Sequence, residues 1–108
     1  MTARKTTRRV RGSTTGRPIM VLFDLLGKRW TMRVLWELRE GPMTFRALQG
    51  AMEGVSPSVL NARLRDLRGA DLVRHEEGSG YVLTRWAVEL SQHLVPLDAL
   101  ARRWAKRR

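Results

Sequence analysis

The first strongly apolar stretch of the chain, Ile19–Leu26, has a polar residue only at Asp24. It follows Pro18 and stops at Gly27. Proline at the start and glycine just past the end are typical of a helix, so we predict a first helix over this stretch. A helix that is apolar almost all round must be covered on every face. In so short a chain, we expect a second subunit to provide that cover.

The next two apolar stretches have the spacing of amphipathic helices. Thr31 is expected to cap a helix over Met32–Glu40, which Gly41-Pro42 brings to an end. Thr44 then precedes Phe45–Met52, where apolar residues recur at positions i, i+3 and i+7. We therefore predict a second and a third helix here.

The strongest helix start in the sequence comes after a short turn that contains glycine, Glu53–Val55. Ser56 is a favoured capping residue, and Pro57 suits the first helical position. The pattern predicts a helix from here to about Ala70. Its buried stripe is expected to consist of Leu60, Leu64 and Leu67. Two helices joined by such a turn are typical of a helix-turn-helix.

Two short segments rich in strand-forming residues follow. Leu72–Glu76 and Tyr81–Leu83 flank a glycine-rich tip and predict a β-hairpin. Thr84 is expected to cap a last helix that reaches about Ala105, with a break or kink near residues 94–95 caused by Pro96. The order of elements predicts a mainly α fold with a small two-stranded β wing, that is, a winged helix-turn-helix.

Charge is distributed unevenly along the 108 residues, which carry 21 Lys and Arg against 10 Asp and Glu. Residues 1–17 contain six basic residues and no acid, and residues 101–108 contain five and no acid. The whole formal charge of +11 therefore lies in two tails around a neutral body. We expect residues 1–17 to form a flexible basic arm, 18–104 a single domain and 105–108 a basic tail. This charge predicts a polyanionic partner, with nucleic acid first.

Several classes of protein are disfavoured. The chain has no cysteine, so disulfides, cysteine-based zinc sites and thiol redox chemistry are excluded. No apolar run is long enough to span a bilayer, and no membrane partner is expected. The two histidines, His75 and His93, have no helical spacing, and no catalytic grouping or glycine-rich phosphate loop occurs. We expect no enzyme activity, no metal and no cofactor.

Three stretches, in this order, carry a family likeness. Asp24–Thr31 is similar to the pattern D-x-I-G-G-K-W-T, and Gly41–Leu48 to G-P-x-x-F-x-x-L. Val55–Val73 matches I-S-x-x-x-L-x-x-R-L-x-x-L-x-x-x-x-L-V in register without gaps. These are signatures of the HxlR-type transcriptional regulators, a branch of the MarR-like winged-helix group. The chain resembles that family over about residues 18–104.

The resemblance implies a cytoplasmic, nucleoid-associated homodimer that binds a pseudo-palindromic DNA operator and dimerises through its first and last helices. The interface residues it implies are Ile19, Leu22, Phe23, Leu97, Leu100 and Trp104. The chain departs from the family pattern at several positions, among them Ala87, which stands where the family has a glycine after the final Leu-Thr pair. Arg17 stands where some members have a redox-sensing cysteine, and the wing, usually longer and basic, is short and acidic around Glu76 and Glu77.

The face of the Ser56–Ala70 helix opposite its leucine stripe is expected to read DNA bases. Arg63 lies near the buried side, where its head would reach either an acid or a phosphate. Arg74 is the only wing cation before the acids, so we expect a weak wing contact, with the arginine-rich arm reaching DNA instead. The complete set of predicted DNA-binding residues is Ser56, Ser58, Asn61, Ala62, Arg63, Arg65, Arg74, Arg46, Lys28 and Arg29.

The sequence thus predicts a sequence-specific DNA-binding transcriptional regulator. Repression is the default mode, because occupying a promoter needs no further contact surface. Two alternatives stay open, namely a sequence-tolerant nucleoid-type protein driven by its tails and a protein-interaction winged helix that has lost DNA binding. A small-molecule effector is also left open. Trp30, Trp36, Trp86 and Trp104 would either line its pocket or, more simply, pack helices and the dimer core.

Overall fold

The computed structural model describes residues 16–107, which form five helices and one two-stranded antiparallel sheet. The basic arm predicted for residues 1–17 lies almost entirely outside the described residues. In chain order the elements are α1 (Pro18–Leu26), α2 (Thr31–Leu38), α3 (Phe45–Ala51), α4 (Pro57–Gly69), β1 (Val73–Glu76), β2 (Gly80–Leu83) and α5 (Arg85–Ala105). The predicted winged helix-turn-helix is confirmed, with α3 and α4 as its two central helices.

Three helices begin at hydroxyl caps, of which the sequence predicts those at Ser56 and Thr84. Thr44 accepts a hydrogen bond from the Ala47 amide at 3.1 Å, and Ser56 accepts one from the Val59 amide at 3.2 Å. Thr84 does the same for α5, and Pro57 occupies the first turn of α4. Each such cap contributes about 0.5–2 kcal/mol. The starts of α3, α4 and α5 are therefore fixed by local chemistry.

The core lies where α2, α3 and α4 meet the wing. Leu60, Leu64 and Leu67 are buried on one side of α4, as predicted. They pack in one cluster with Leu35 and Leu38 of α2 and with side chains of the other elements. Burying one leucine contributes about 1.5–3 kcal/mol, so this cluster fixes the orientation of α4 and decides which of its faces meets solvent.

The wing is joined to the helix-turn-helix by backbone hydrogen bonds. β1 and β2 pair with Val73 opposite Leu83 and His75 opposite Tyr81. Beyond the predicted hairpin, Met43 forms an isolated bridge to Tyr81, with N–O distances of 2.8 and 3.1 Å. Gly80 has φ +104°, and a Cβ there would lie 2.7 Å from the Met43 carbonyl carbon. Only glycine allows the strand to approach so closely.

The prediction that Thr31 caps α2 is wrong. The residue preceding the helix is Trp30, which has φ 77° and provides no side-chain cap. Thr31 is instead the first residue of the helix, and its side chain is fully buried with no hydrogen-bond partner for Oγ1 among the described residues. The left-handed turn at Trp30 moves the helix start by one residue and directs the hydroxyl into the protein.

Of the break or kink predicted near residues 94–95, the break is wrong, because α5 continues through Pro96 from Arg85 to Ala105. Proline removes the hydrogen bond that would reach the carbonyl of Gln92. Both Gln92 and Pro96 are exposed, so water can satisfy that carbonyl. The helix therefore loses one bond without being interrupted.

Apolar surface is concentrated on α1 and α5. Val21 is the only residue of α1 that is buried, and Leu22 is half-buried. The other five apolar residues for which the sequence implies an interface are 46–62% exposed, namely Ile19, Phe23, Leu97, Leu100 and Trp104. In residues 16–107, no helix is both long and apolar enough to cross a membrane.

Candidate nucleic-acid interface

The exposed side of α4 carries the side chains predicted to read bases. Ser58, Asn61 and Arg65 are exposed, and Ala62 is half-buried between them. Because the leucine stripe fixes the rotation of α4, these residues share one outward face. Hydroxyl, amide and guanidinium groups are suited to base edges, and a methyl group suits thymine. The local pattern and the fold therefore agree on this face.

The N-terminus of α4 is the part of the face nearest to the turn. Ser56 caps it, and the Ser56 hydroxyl also lies 3.4 Å from the Ser58 hydroxyl. Helix N-termini present free amide hydrogens to anions. Arg46 is exposed on α3, the preceding helix of the motif. Serine hydroxyls and amides are thus available to a phosphate at this N-terminus, and Arg46 is a separate exposed cation on α3.

A groove of about 520 Å³ runs along one shoulder of α4 beside the wing. Asn61 and Arg65 of the predicted set line it, together with Arg68 and with Tyr81 of β2. Arg68 and Tyr81 are absent from the sequence-predicted set. The helical wheel already places Arg68 beside Asn61, so the sequence contained that signal. Tyr81 reaches the groove only through the fold, because the bridge to Met43 positions its strand.

The other shoulder of α4 carries an ion-pair cluster. Asp66 Oδ2 accepts hydrogen bonds from Lys28 Nζ and from Arg63 Nε, each at 3.2 Å. Arg63 thus packs along the helix and reaches an acid, one of the two alternatives for this residue. Lys28, predicted as a separate phosphate contact, joins the same acid from the segment between α1 and α2.

The wing holds its only cation in an internal ion pair. Arg74 Nη2 and Nε donate to one carboxylate oxygen of Glu76, at 2.8 and 3.1 Å. Glu77 is exposed at the tip. The charge of Arg74 is therefore largely compensated within the wing. Tyr81 lies opposite His75 in the sheet and stacks edge-on against it, with ring centroids 4.8 Å apart.

Four arginines of the helix-turn-helix region have no acidic partner among residues 16–107. Arg29 lies 5.2 Å from the ring of Trp30, a cation–π contact that leaves its charge uncompensated. The other three are Arg46, Arg65 and Arg68, and all four are exposed. Unpaired arginines around a polar helix face form a surface suited to the phosphates and base edges of DNA. Fold and surface together define a helix-turn-helix transcriptional regulator.

Comparison with known proteins identifies the family. The family model described as HxlR-like helix-turn-helix matches residues 25–108. An uncharacterised HTH-type transcriptional regulator of Methanocaldococcus jannaschii, MJ0925, is 31% identical over 87 residues, which cover 74% of this chain and 81% of the relative. The chain belongs to the HxlR-like helix-turn-helix family, and it is a DNA-binding transcriptional regulator of the HTH type.

Two solved structures have the same fold. A crystal structure of quinone-bound YodB from Bacillus subtilis has a TM-score of 0.71 and 27% identity, with 79% of this chain and 94% of that chain covered. A structure described as a possible HxlR family transcriptional factor from Thermoplasma volcanium has a TM-score of 0.72 and 27% identity, with coverage of 79% and 82%.

Proposed function

We propose that this protein is a sequence-specific repressor that binds a pseudo-palindromic operator as a homodimer and blocks transcription by occupying it. The observation that carries the proposal is the outward face of α4. It is polar, held by a buried leucine stripe, and flanked by cations on both shoulders. As a DNA-binding protein it would work in the cytoplasm, on the nucleoid.

Each residue of the face has a defined task in this proposal. Asn61 pairs with adenine and Arg65 with guanine, each through two hydrogen bonds, while Ala62 meets a thymine methyl. The amides at Ser56 and Ser58 hold a phosphate. Lys28, Arg29, Arg46 and Arg63 hold further phosphates, which set position rather than sequence preference.

The homodimer is supported by the exposed apolar surface of α1 and α5. The part of α5 from Val95 to Ala105 carries the exposed side chains of Leu97, Leu100 and Trp104. An isolated helix as short as this part is only marginally stable in water. A second copy that packs its own α1 and α5 there would cover both helices. Two α4 helices would then enter successive major grooves, about 34 Å apart.

The basic tails are proposed to strengthen binding without directing it. Arg74 is engaged by Glu76 and the tip of the wing is acidic, so the wing contributes little to DNA affinity. The basic residues of 1–17 would contact the minor groove or the backbone instead. Removal of residues 2–17 should therefore weaken binding to every DNA and flatten its dependence on salt.

A small-molecule effector is part of the proposal, because the similar YodB was crystallised with a quinone. This chain has no cysteine, so an effector would bind without a thiol bond. The tryptophans are the aromatic surfaces available to it. Each has an arginine 3.8–5.2 Å from its ring centroid, in the pairs Arg29–Trp30, Arg39–Trp36, Arg85–Trp86 and Arg107–Trp104.

Selection of bound duplexes from a random DNA pool tests the proposed function, with full-length protein and the protein lacking residues 2–17 side by side. Both forms should select the same inverted repeat. Arg65→Ala should cost about 1–3 kcal/mol of operator binding and relax one base position in each half-site. Arg85→Ala, an exposed arginine at the start of α5, serves as the control and should leave the selected sequence unchanged.

The two alternatives give different results in the same assay. A sequence-tolerant DNA-binding protein would enrich no sequence and would lose affinity steeply with salt on every duplex. A protein-interaction domain would retain no duplex, or would bind only through its tails and ignore Arg65→Ala. Either result contradicts a sequence-specific repressor.

A further inference from the structure

One carboxylate beside the recognition face joins two cations from distant parts of the chain. Asp66 and Arg63 lie on α4, whereas Lys28 precedes them by 38 and 35 residues, between α1 and α2. The side chains of Lys28, Asp66 and Arg63 are 34%, 27% and 21% exposed, so the cluster is half-buried but open to solvent. Its three formal charges sum to one positive charge.

The cluster and the groove lie on opposite shoulders of α4. At about 100° per residue, Asp66 and Arg63 are on one side of the outward face, and Asn61 and Arg68 are on the other. A helix that enters the major groove has a phosphate backbone on each side of it. Arg68 with Tyr81 therefore corresponds to one backbone, and Lys28 with Arg63 corresponds to the other.

We propose that Asp66 is a positioning residue that holds Lys28 and Arg63 as a two-cation clamp for one backbone phosphate. This inference rests on the proposed DNA-binding function. An ammonium group has three donors and a guanidinium has five. Among the described residues, each cation uses a single donor on Asp66, so its remaining donors are available to phosphate oxygens.

The geometry explains why an acid is useful at a surface that meets DNA. Lys28 Nζ and Arg63 Nε both contact one oxygen atom, so they lie no further apart than twice 3.2 Å. Two like charges at this separation repel each other, and long side chains lose entropy when they are held. The carboxylate offsets the repulsion and orders both side chains before DNA arrives.

Lys28 is also a departure from the family pattern. In the signature D-x-I-G-G-K-W-T, this chain has Gly27 at the first glycine and Lys28 at the second. The lysine of the signature corresponds to Arg29. Lys28, one of the two cations of the clamp, therefore stands where the signature has a glycine, which has no side chain.

Asp66→Asn tests the clamp, because two simpler roles for Asp66 predict different outcomes. Affinities are measured by fluorescence anisotropy, at several salt concentrations, for the selected operator and for a scrambled duplex of equal length. If Asp66 positions the cations, operator affinity falls about tenfold while affinity for the scrambled duplex stays equal or rises. The salt slope on the operator should shrink by about 2, one phosphate contact for each copy of the dimer.

Matched variants complete the experiment. Glu37→Gln removes a carboxylate of similar exposure that is paired with Arg33 at 2.7 Å on α2, and it should leave the ratio of the two affinities unchanged. Asp66→Glu keeps the charge and should recover most of the operator affinity. Lys28→Met should lower operator affinity. In the double variant, Asp66→Asn should cause little further loss of operator affinity, because the two changes remove the same contact.

Several results would overturn the clamp. If Asp66→Asn raises both affinities equally, Asp66 is only a repulsive charge. If Asp66→Asn lowers the melting temperature and leaves the ratio of operator affinity to scrambled-duplex affinity unchanged, Asp66 only stabilises the fold. Should Asp66→Asn fail to fold, Lys28→Met carries the same test. A wild-type protein that selects no operator overturns the proposed function and the clamp with it, whereas a selected operator that Asp66→Asn binds normally overturns the clamp alone.

Discussion

The caps and the stripe of α4 are the residues that local rules identify best. Ser56 and the leucines Leu60, Leu64 and Leu67 follow from capping chemistry and helical spacing, which involve only neighbours in sequence. The partners of Asp66 and the entry of Tyr81 into the groove depend on elements far apart in sequence. Periodicity carries no information about such contacts.

Thr31 shows where local reasoning fails. A threonine before an apolar stretch favours a cap, but here Trp30 takes the left-handed conformation and precedes the helix. The hydroxyl of Thr31 is left buried without a partner among the described residues. Burying an unpaired hydroxyl costs about 1–3 kcal/mol. The residue before a helix decides whether its neighbour caps it, and its φ angle cannot be read from residue type.

Thr31→Val should therefore stabilise the protein by about 1 kcal/mol, because it keeps the shape of the side chain and removes the unpaired hydroxyl. Thermal or urea unfolding measures the change. Thr44→Val is the matched control, since it removes a hydroxyl that caps α3, and it should cost about 0.5–2 kcal/mol. Equal effects of the two substitutions would contradict this account of Thr31.

At the scale of elements, the wing and α5 behave differently from what their sequences alone suggest. The hairpin was predictable from its glycines and β-branched residues, but its bridge to Met43 was not. Pro96 favours a break, yet the helix continues where the exposed carbonyl of Gln92 is open to water. The cost of a proline depends on the surroundings of that carbonyl, which are set by the tertiary fold.

Glu76→Gln should strengthen DNA binding by the wing. The substitution removes one acid and releases Arg74, so the salt slope should steepen by about 0.9 for each copy that gains a phosphate contact. The ion pair is exposed, and its loss should change stability by at most about 1 kcal/mol. Glu89→Gln removes an exposed acid on α5 and serves as the control. An identical response of both variants would mean that the wing does not approach DNA.

Gly80→Ala should detach the wing from the helix-turn-helix. The left-handed conformation alone costs about 1–3 kcal/mol with a side chain, and the new Cβ would collide with the backbone of Met43. The melting temperature should fall, and hydrogen exchange at the Tyr81 amide should accelerate. Gly50→Ala, on α3, is the opposite control, because a Cβ added there would meet no atom of another part of the fold within 4 Å and alanine favours helix. A Gly80→Ala protein as stable as wild type would contradict the close approach.

At the scale of the molecule, the formal charge of +11 comes from the two ends of the chain. At the C-terminal end the basic residues share α5 with the apolar surface, since Arg102 and Arg103 directly precede Trp104. The charge of residues 18–100 cancels, so the tails are expected to govern affinity and salt dependence while α4 governs sequence. The apolar surface lies on α1 and on the distal part of α5. The charge at the two ends could be located from composition, and the apolar residues of α1 and α5 from the pattern, whereas their role as a dimer surface stays a prediction.

Leu100→Glu should disrupt the proposed dimer. Leu100 is 48% exposed, so each copy would lose about half of the 1.5–3 kcal/mol that full burial of a leucine contributes, and the dimer dissociation constant should rise at least about tenfold. Analytical ultracentrifugation measures this, and operator affinity should fall with it. Ala47→Glu places the same charge on an exposed position of α3 and should leave the dimer intact. A Leu100→Glu protein that stays dimeric would place the interface elsewhere.

The bridge between Met43 and Tyr81 has a consequence for control of the protein. It ties the wing to Met43, just before the residue that caps α3, so the wing and the helix-turn-helix are expected to move as one body. A rigid domain of this kind leaves an effector little internal flexibility to act on within one copy. For the proposed dimeric repressor, we therefore expect an effector to act on the angle and spacing between the two copies, which decide whether both α4 helices fit one stretch of duplex.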